Sequence, residues 1–192
     1  MTIVYIHGAS ATSESFVHIR EHIKKPDLVI DYDSSDGFSH NLKEMKAQLE
    51  DVEKIFFVAH SLGGIYALHL ADYFPNKTLG AVTLSTPYGG AEVADYAKYF
   101  LPFSRLLKDI GPSSWPMKTA NDIEVIHPWT NIVTVSGKSP WMTVPNDGIV
   151  TIASMKQKSN SMEIIEVNNN HYEVLMSSKV VEIIQEKLKA FK

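Results

Sequence analysis

Ser61, Asp147 and His171 are the three side chains of this sequence whose types and order could carry out nucleophilic chemistry. A serine hydroxyl is a poor nucleophile until a base removes its proton, and a histidine base needs an acid to fix its tautomer and stabilise the imidazolium that forms. Ser61 lies in Ala59-His60-Ser61-Leu62-Gly63-Gly64, directly after the apolar run Ile55 to Val58 and directly before a segment with helical apolar spacing. Such a pattern reads as a buried strand turning sharply into a helix. The small residues Ala59 and Gly63, two positions either side of the serine, are what so tight a turn demands. The helix that begins at Leu62 brings free N–H groups and a partial positive charge to the place where an acyl-transfer oxyanion would form.

Other residues compete for these roles. Consecutive strand residues point to opposite sides, so His60 is read as a packing or hydrogen-bonding residue and not as the base. His69 sits on the following helix and His127 in a long insertion; both are read as structural or surface residues. Asp122 precedes its strand, whereas Asp147 follows one. The order nucleophile, acid, histidine agrees with a serine held in a strand-turn-helix. His7-Gly8-Ala9-Ser10, a small-residue turn after the first strand, offers a second oxyanion donor: the backbone N–H groups of Ala9 and Leu62 are the expected pair, with the Ser10 hydroxyl as the alternative to Ala9 and a plain turn as the alternative for the loop.

The elements that must position these groups follow from the apolar pattern. Thr2 to Ile6, Leu28 to Ile30, Lys54 to Val58, Leu79 to Leu84, Asn131 to Val135 and Met162 to Val167 are the predicted strands. Helices are predicted from Glu14, with Phe16, Val17, Ile19 and Ile23 on one face, from an N-cap at Ser39, from Leu62 through Phe74, and over the last stretch with Val180, Val181, Ile183, Ile184 and Leu188. A short helix is expected around Ile149-Val150 and Met155. Nearly all-apolar strands alternating with helices mean a mostly parallel sheet of about six strands, with helices on both faces and right-handed crossovers. Residues 91–129 break the pattern and read as a small helical cap inserted above the carboxyl edge of the sheet. Its Leu and Ile positions are expected to pack on the core, while Tyr96, Phe100 and Phe103, together with Tyr88, are candidate substrate-binding residues for an acyl chain or lipid.

Composition narrows the classes. A chain of 192 residues suits one domain, burying ~70% of its unfolded surface. The net charge of -4 gives no basic excess for gripping nucleic acid, and the absence of cysteine excludes disulfides, thiolate catalysis and Cys-based zinc sites. No apolar run reaches the ~20 residues of a membrane span, and Met1 leads straight into a strand-like run with no signal-peptide pattern, so a cytoplasmic location is expected.

His7-Gly8, the Ser61 motif, Ser85-Thr86-Pro87-Tyr88-Gly89-Gly90, Asp147-Gly148 with Val150, and His171 together resemble the α/β-hydrolase superfamily, and within it small bacterial triacylglycerol lipases and esterases. The resemblance runs through essentially the whole chain in order. Ala59 stands where many members carry glycine, as in some small lipases, and the chain starts at what resembles the third strand of larger members. The resemblance implies a three-layer α/β/α fold and a serine hydrolase cleaving small-molecule carboxylic esters through an acyl-enzyme, with no metal or organic cofactor. The alternatives on the same fold are a thioesterase or amidase using the same triad, and a non-catalytic binding module. Oligomeric state is not legible in the sequence.

Overall fold

Six short strands form one parallel sheet in the computed structural model, which describes residues 1–90, 105–139 and 142–191. The strands are β1 (Thr2–Ile6), β2 (Asp27–Ile30), β3 (Ile55–His60), β4 (Thr78–Leu84), β5 (Trp129–Thr134) and β6 (Glu163–Val167), in the spatial order β2-β1-β3-β4-β5-β6. All five pairings are parallel. β3 and β5 are buried along their whole length; β3 accordingly reads as an apolar run and not as an alternating one, while β5 buries Thr130, Asn131 and Thr134 with their polar groups hydrogen-bonded.

Two hydrophobic layers sandwich the sheet. One gathers Val4, Ile6, Phe57 and Ala59 from the strands against Phe38, Leu42, Met45 and Leu49 of helix α2 (Phe38–Leu49) and Leu62, Ile65, Tyr66 and Leu70 of helix α3 (Leu62–Tyr73). The other packs Ile3, Tyr5, Phe56, Val58 and Val82 against Phe16 and Ile19, before and in α1 (Val17–His22), and against Val180, Val181, Ile184 and Leu188 of the closing helix. Each such fully buried Ile, Leu or Phe stabilises the fold by roughly 1.5–3 kcal/mol relative to exposure. The remaining helices are α4 (Arg105–Ile110), α5 (Trp115–Asp122), α6 (Ile152–Met155) and α7 (Ser178–Leu188). No helix among the described residues is long and apolar enough to cross a membrane.

The predicted elements are present with local corrections. Val17 is turned outward, because a one-turn 3-10 helix at Ser13–Phe16 precedes α1 and changes the phase of the apolar stripe. Helix α2 starts one residue ahead of the expected Ser39 cap. Gly37, at φ 93°, turns the chain, and the Asp109 carboxylate accepts the Phe38 N–H at 2.7 Å. The short helix expected around Ile149-Val150 begins only at Ile152. Within the expected insertion, Met117, Ala120 and Ile123 pack on the core and Ile110 leans against it. Trp129 already belongs to β5. Tyr96, Phe100 and Phe103 lie outside the described residues.

Candidate active site

The carboxyl ends of β1, β3, β5 and β6 lie along one edge of the parallel sheet, so the segments that leave them meet there. At the end of β3 the chain must reverse into α3 within a single residue. Ser61 does this at φ 51°, ψ −124°, a conformation that a side chain rarely adopts. Its N–H is anchored on the Leu84 carbonyl of β4 at 2.8 Å. Gly63 shows why the first turn of the following helix needs a glycine: a Cβ there would stand 2.1 Å from the Ile6 carbonyl oxygen of β1. The close approach of α3 to the sheet therefore rests on a missing side chain.

His171 arrives from the loop after β6. Its Nε2 accepts the Ser61 hydroxyl at 3.1 Å, and its Nδ1–H donates to Asp147 Oδ2 at 2.8 Å. Both bonds are met by one tautomer. The loops carrying His171 and Asp147 are also joined through their backbones, His171 N–H donating to the Asp147 carbonyl at 3.1 Å. Asp147 is 1% exposed and fully hydrogen-bonded. Its Oδ1 accepts the N–H groups of Ile149 at 3.0 Å and Val150 at 2.8 Å, and its Oδ2 also accepts the Thr134 hydroxyl at 2.5 Å. Burial alone would raise this carboxyl; the His171, Thr134 and Val150 donors outweigh it and hold Asp147 below the ordinary carboxylate range. Gly137 makes the position possible, since a Cβ there would sit 2.1 Å from the Asp147 carbonyl carbon.

A cavity of about 140 Å³ opens beside Ser61, lined among others by Ala9, Leu62, Ile110, Ile149, His171 and Tyr172. Ala9 and Leu62, the expected oxyanion donors, thus share a wall with the serine and the imidazole. The turn carrying Ala9 is tied down at its His7 end. His7 Nδ1–H donates to the Gly8 carbonyl at 2.8 Å, and its Nε2 lies 3.0 Å from Asp31 Oδ1 and 3.3 Å from the Tyr32 N–H. The Tyr32 ring stacks on His7, with centroids 4.4 Å apart, and its hydroxyl donates to the His7 carbonyl at 3.0 Å.

The rivals fall elsewhere. His69 is buried in α3 with its Nε2 bonded to the Pro116 carbonyl at 3.0 Å. Asp122 ends α5 and is exposed, and His127 lies in the segment leading to β5. Neither lines the cavity at Ser61. Tyr88 departs from expectation. It is fully buried, its hydroxyl taking the Trp129 Nε1–H at 2.9 Å and bonding Thr83 at 3.0 Å, so it is a core residue and not a wall of the cavity. Sequence reasoning missed Thr134, Ser85, Asp31 and Tyr32. Ser85 follows β4 and Thr134 ends β5, but Thr78, Thr83, Thr130 and Asn131 also interrupt these strands, so no local signal singled them out. Among the described residues, no three His, Asp or Glu side chains gather as a metal site.

His60, which also lines the cavity beside Ser61, donates from Nε2 to the His171 carbonyl at 2.8 Å, the hydrogen-bonding part anticipated for it. Burial, with His171 close by, pushes its titration from 6.5 down to about 3. An unfolded chain therefore binds a proton at His60 between these limits that the folded chain does not. Stability is unaffected by this group above pH 6.5 and falls as pH drops from 6.5 toward 3, by about 1.4 kcal/mol per pH unit. His60→Gln keeps a donor and removes the titration. Calorimetric Tm values are expected to fall less steeply with acid in this variant than in wild type; parallel slopes would show that His60 does not set acid sensitivity.

An alpha/beta hydrolase family model matches residues 3–159. No curated protein sequence matches the chain. Among solved structures, it resembles the mature lipase BlEst2 of Bacillus licheniformis, with a TM-score of 0.78 at 16% identity over 97% of this chain and 91% of that one. The metagenomic carboxyl esterase MGS0156 gives 0.79 at 15% identity over 100% and 76%. A monoacylglycerol lipase from Paleococcus ferrophilus gives 0.67 at 16% identity over 98% and 93%. At these identities the likeness speaks for the fold, which is the α/β-hydrolase fold.

Proposed function

Because the chain belongs to the alpha/beta hydrolase family, we propose that it is a serine hydrolase of carboxylic esters, working through an acyl-enzyme on Ser61. The observation that carries this reading is the unbroken chain of hydrogen bonds from the Ser61 hydroxyl through His171 to Asp147. Ser61 Oγ attacks the acyl carbon of the ester as its proton passes to His171 Nε2. Asp147 holds the imidazolium in place, and the N–H groups of Leu62 and Ala9 receive the oxyanion. His171 then gives the proton to the departing alkoxide oxygen. Water repeats the sequence in the second half: His171 takes its proton, the hydroxide oxygen bonds to the acyl carbon, and the Ser61–acyl bond breaks as the proton returns to Ser61. Every proton is handed over at one nitrogen, so no further acid or base is needed.

The folds of a lipase and a carboxyl esterase among the structural likenesses favour an ester over other acyl substrates. The cavity beside Ser61 is a second support, since it leaves room for an acyl group in contact with Leu62, Ile110 and Leu175. A fluorophosphonate probe is expected to add once per chain, with the adduct mapping to the Ser61 peptide. A folded protein that stays unlabelled would overturn the reading and leave a binding module, and labelling at another serine would overturn Ser61 as the nucleophile. Matched p-nitrophenyl ester, thioester and amide substrates of equal acyl length then rank the three acyl chemistries.

A further inference from the structure

Ser85 and Thr134 form no bond to substrate in the reaction above, yet both are fully buried polar side chains at the sheet edge that carries Ser61. Ser85 directly follows Leu84, whose carbonyl holds the Ser61 N–H. Its backbone has φ 51°, the same left-handed value as Ser61, and a buried non-glycine residue keeps such a conformation only when its surroundings over-determine it. Its N–H is fixed on the Ile132 carbonyl at 2.9 Å, and its hydroxyl oxygen lies 2.9 Å from Thr134 Oγ1.

The proton count gives this contact a direction. Thr134 has one hydroxyl proton and two acceptors within reach, Asp147 Oδ2 at 2.5 Å and the Met155 sulfur at 3.5 Å. The carboxylate is by far the stronger acceptor. With its proton committed there, Thr134 can only accept from Ser85. The bonds therefore run one way, from Ser85 O–H to Thr134 O–H to Asp147 Oδ2. That oxygen is also the one that accepts His171 Nδ1–H, while Oδ1 is filled by two backbone N–H groups.

We propose that Ser85 and Thr134 are positioning residues of this site: a two-hydroxyl relay that orients Asp147 and shares its Oδ2 with His171, setting how tightly the acid holds the imidazolium. The proposal rests on the reading of Ser61, His171 and Asp147 as the hydrolytic groups. Donation from Thr134 draws electron density from Oδ2, and donation from Ser85 polarises Thr134 further. Without the relay Oδ2 belongs to His171 alone. The imidazole–carboxylate pair then becomes more basic as a unit, wherever its proton resides.

The test is an NMR titration of the His171 Cε1–H signal, assigned through a His171 variant, in wild type, Thr134→Val, Thr134→Ser and Ser85→Ala. The titratable groups facing His171 are Asp147 from the loop after β5 and His60 from β3, with Tyr172 edge-on beside it and Glu173 turned back onto the Asn170 N–H. None of these is altered in the series. The midpoint is expected to rise by about one pH unit in Thr134→Val, a tenfold gain in proton affinity. It should return to the wild-type value in Thr134→Ser, and rise in Ser85→Ala by about 10–30% of the larger shift. A merely structural hydroxyl would lower Tm and leave the midpoint where it was. An unmoved or lowered midpoint in folded Thr134→Val, or a Thr134→Ser variant that behaves like valine, overturns the relay. If Thr134→Val does not fold, Ser85→Ala read against Thr134→Ser decides the matter by the same criterion. The titration needs no turnover, so failure of the relay is distinct from failure of the hydrolase reading, which the fluorophosphonate adduct reads alone.

Discussion

Ser61→Ala is expected to lower kcat for a short p-nitrophenyl ester by roughly 10⁴- to 10⁶-fold, with far-UV circular dichroism unchanged. The proposed reaction has no second nucleophile. Within the cavity the other hydroxyl residues are Ser15 and Tyr172, and among the described residues neither shares a hydrogen bond with His171 Nε2. What remains in the variant is binding and oxyanion stabilisation by the Leu62 and Ala9 N–H groups, which act on a water in place of the serine. The elbow allows a second reading of the same position. At φ 51° Ser61 holds backbone strain that belongs to the nucleophile's placement and not to the stability of the fold. Ser61→Gly removes the hydroxyl and is also free to adopt this conformation, so it should be as inactive as Ser61→Ala but more stable than it by about 1 kcal/mol in chemical denaturation. Turnover within tenfold of wild type in either variant would remove Ser61 from the mechanism. A glycine variant no more stable than the alanine one would show the elbow to be unstrained.

Most of the frame that places these groups was legible because it depends on the crude alternation of apolar segments. Central strands such as β1, β3 and β4, buried on both faces, must be written as largely apolar runs, and the helices between consecutive strands force parallel pairing. Ser61 was legible for a similar reason: the turn tolerates only small neighbours, and the Gly63 contact with the Ile6 carbonyl shows how little room there is. Asp147 and His171 were placed by topology, each following a strand that ends on the same edge. Their meeting then depended only on the sheet being parallel.

What stayed hidden depends on cross-strand register. Tyr88 was read as a substrate contact, since a tyrosine past a strand end is as consistent with a cavity wall as with the core. What decides it is Trp129 on β5, paired with Ala81 of β4, which brings the indole N–H to the Tyr88 hydroxyl. Thr134 was missed on the same ground. Nothing local distinguishes a threonine that closes a β-branched strand from one that donates to a buried acid 13 residues away. Val17 faced outward for a local reason, the extra 3-10 turn before α1, which no count of apolar spacing contains.

Asp147→Asn is the substitution that separates the electrostatic part of the acid from its placement. The two backbone N–H groups of Ile149 and Val150 point at the position of Oδ1 and require an acceptor there, so the asparagine carbonyl oxygen must take that side. The amide NH₂ then occupies the place of Oδ2. It faces Thr134 Oγ1, which can turn from donor to acceptor, and His171 Nδ1, which must do the same. An imidazole that accepts at Nδ1 carries its proton on Nε2, the nitrogen that faces Ser61. The side chain is still there, the loops are still tied through His171 N–H and the Asp147 carbonyl, and the base can no longer take the serine's proton. A loss of roughly 10⁴-fold in kcat is expected, with KM changed little, because the tautomer affects proton transfer and not substrate contacts. Tm should fall only modestly, since the bonds at Thr134 Oγ1, His171 Nδ1 and His171 Nε2 can all be kept by reversing their direction. NMR should find the imidazole proton on Nε2 in the variant and on Nδ1 in wild type. A variant that keeps more than a tenth of wild-type kcat, or whose proton stays on Nδ1, would mean that Asp147 does not fix the tautomer of His171 and that the acid of this site lies elsewhere.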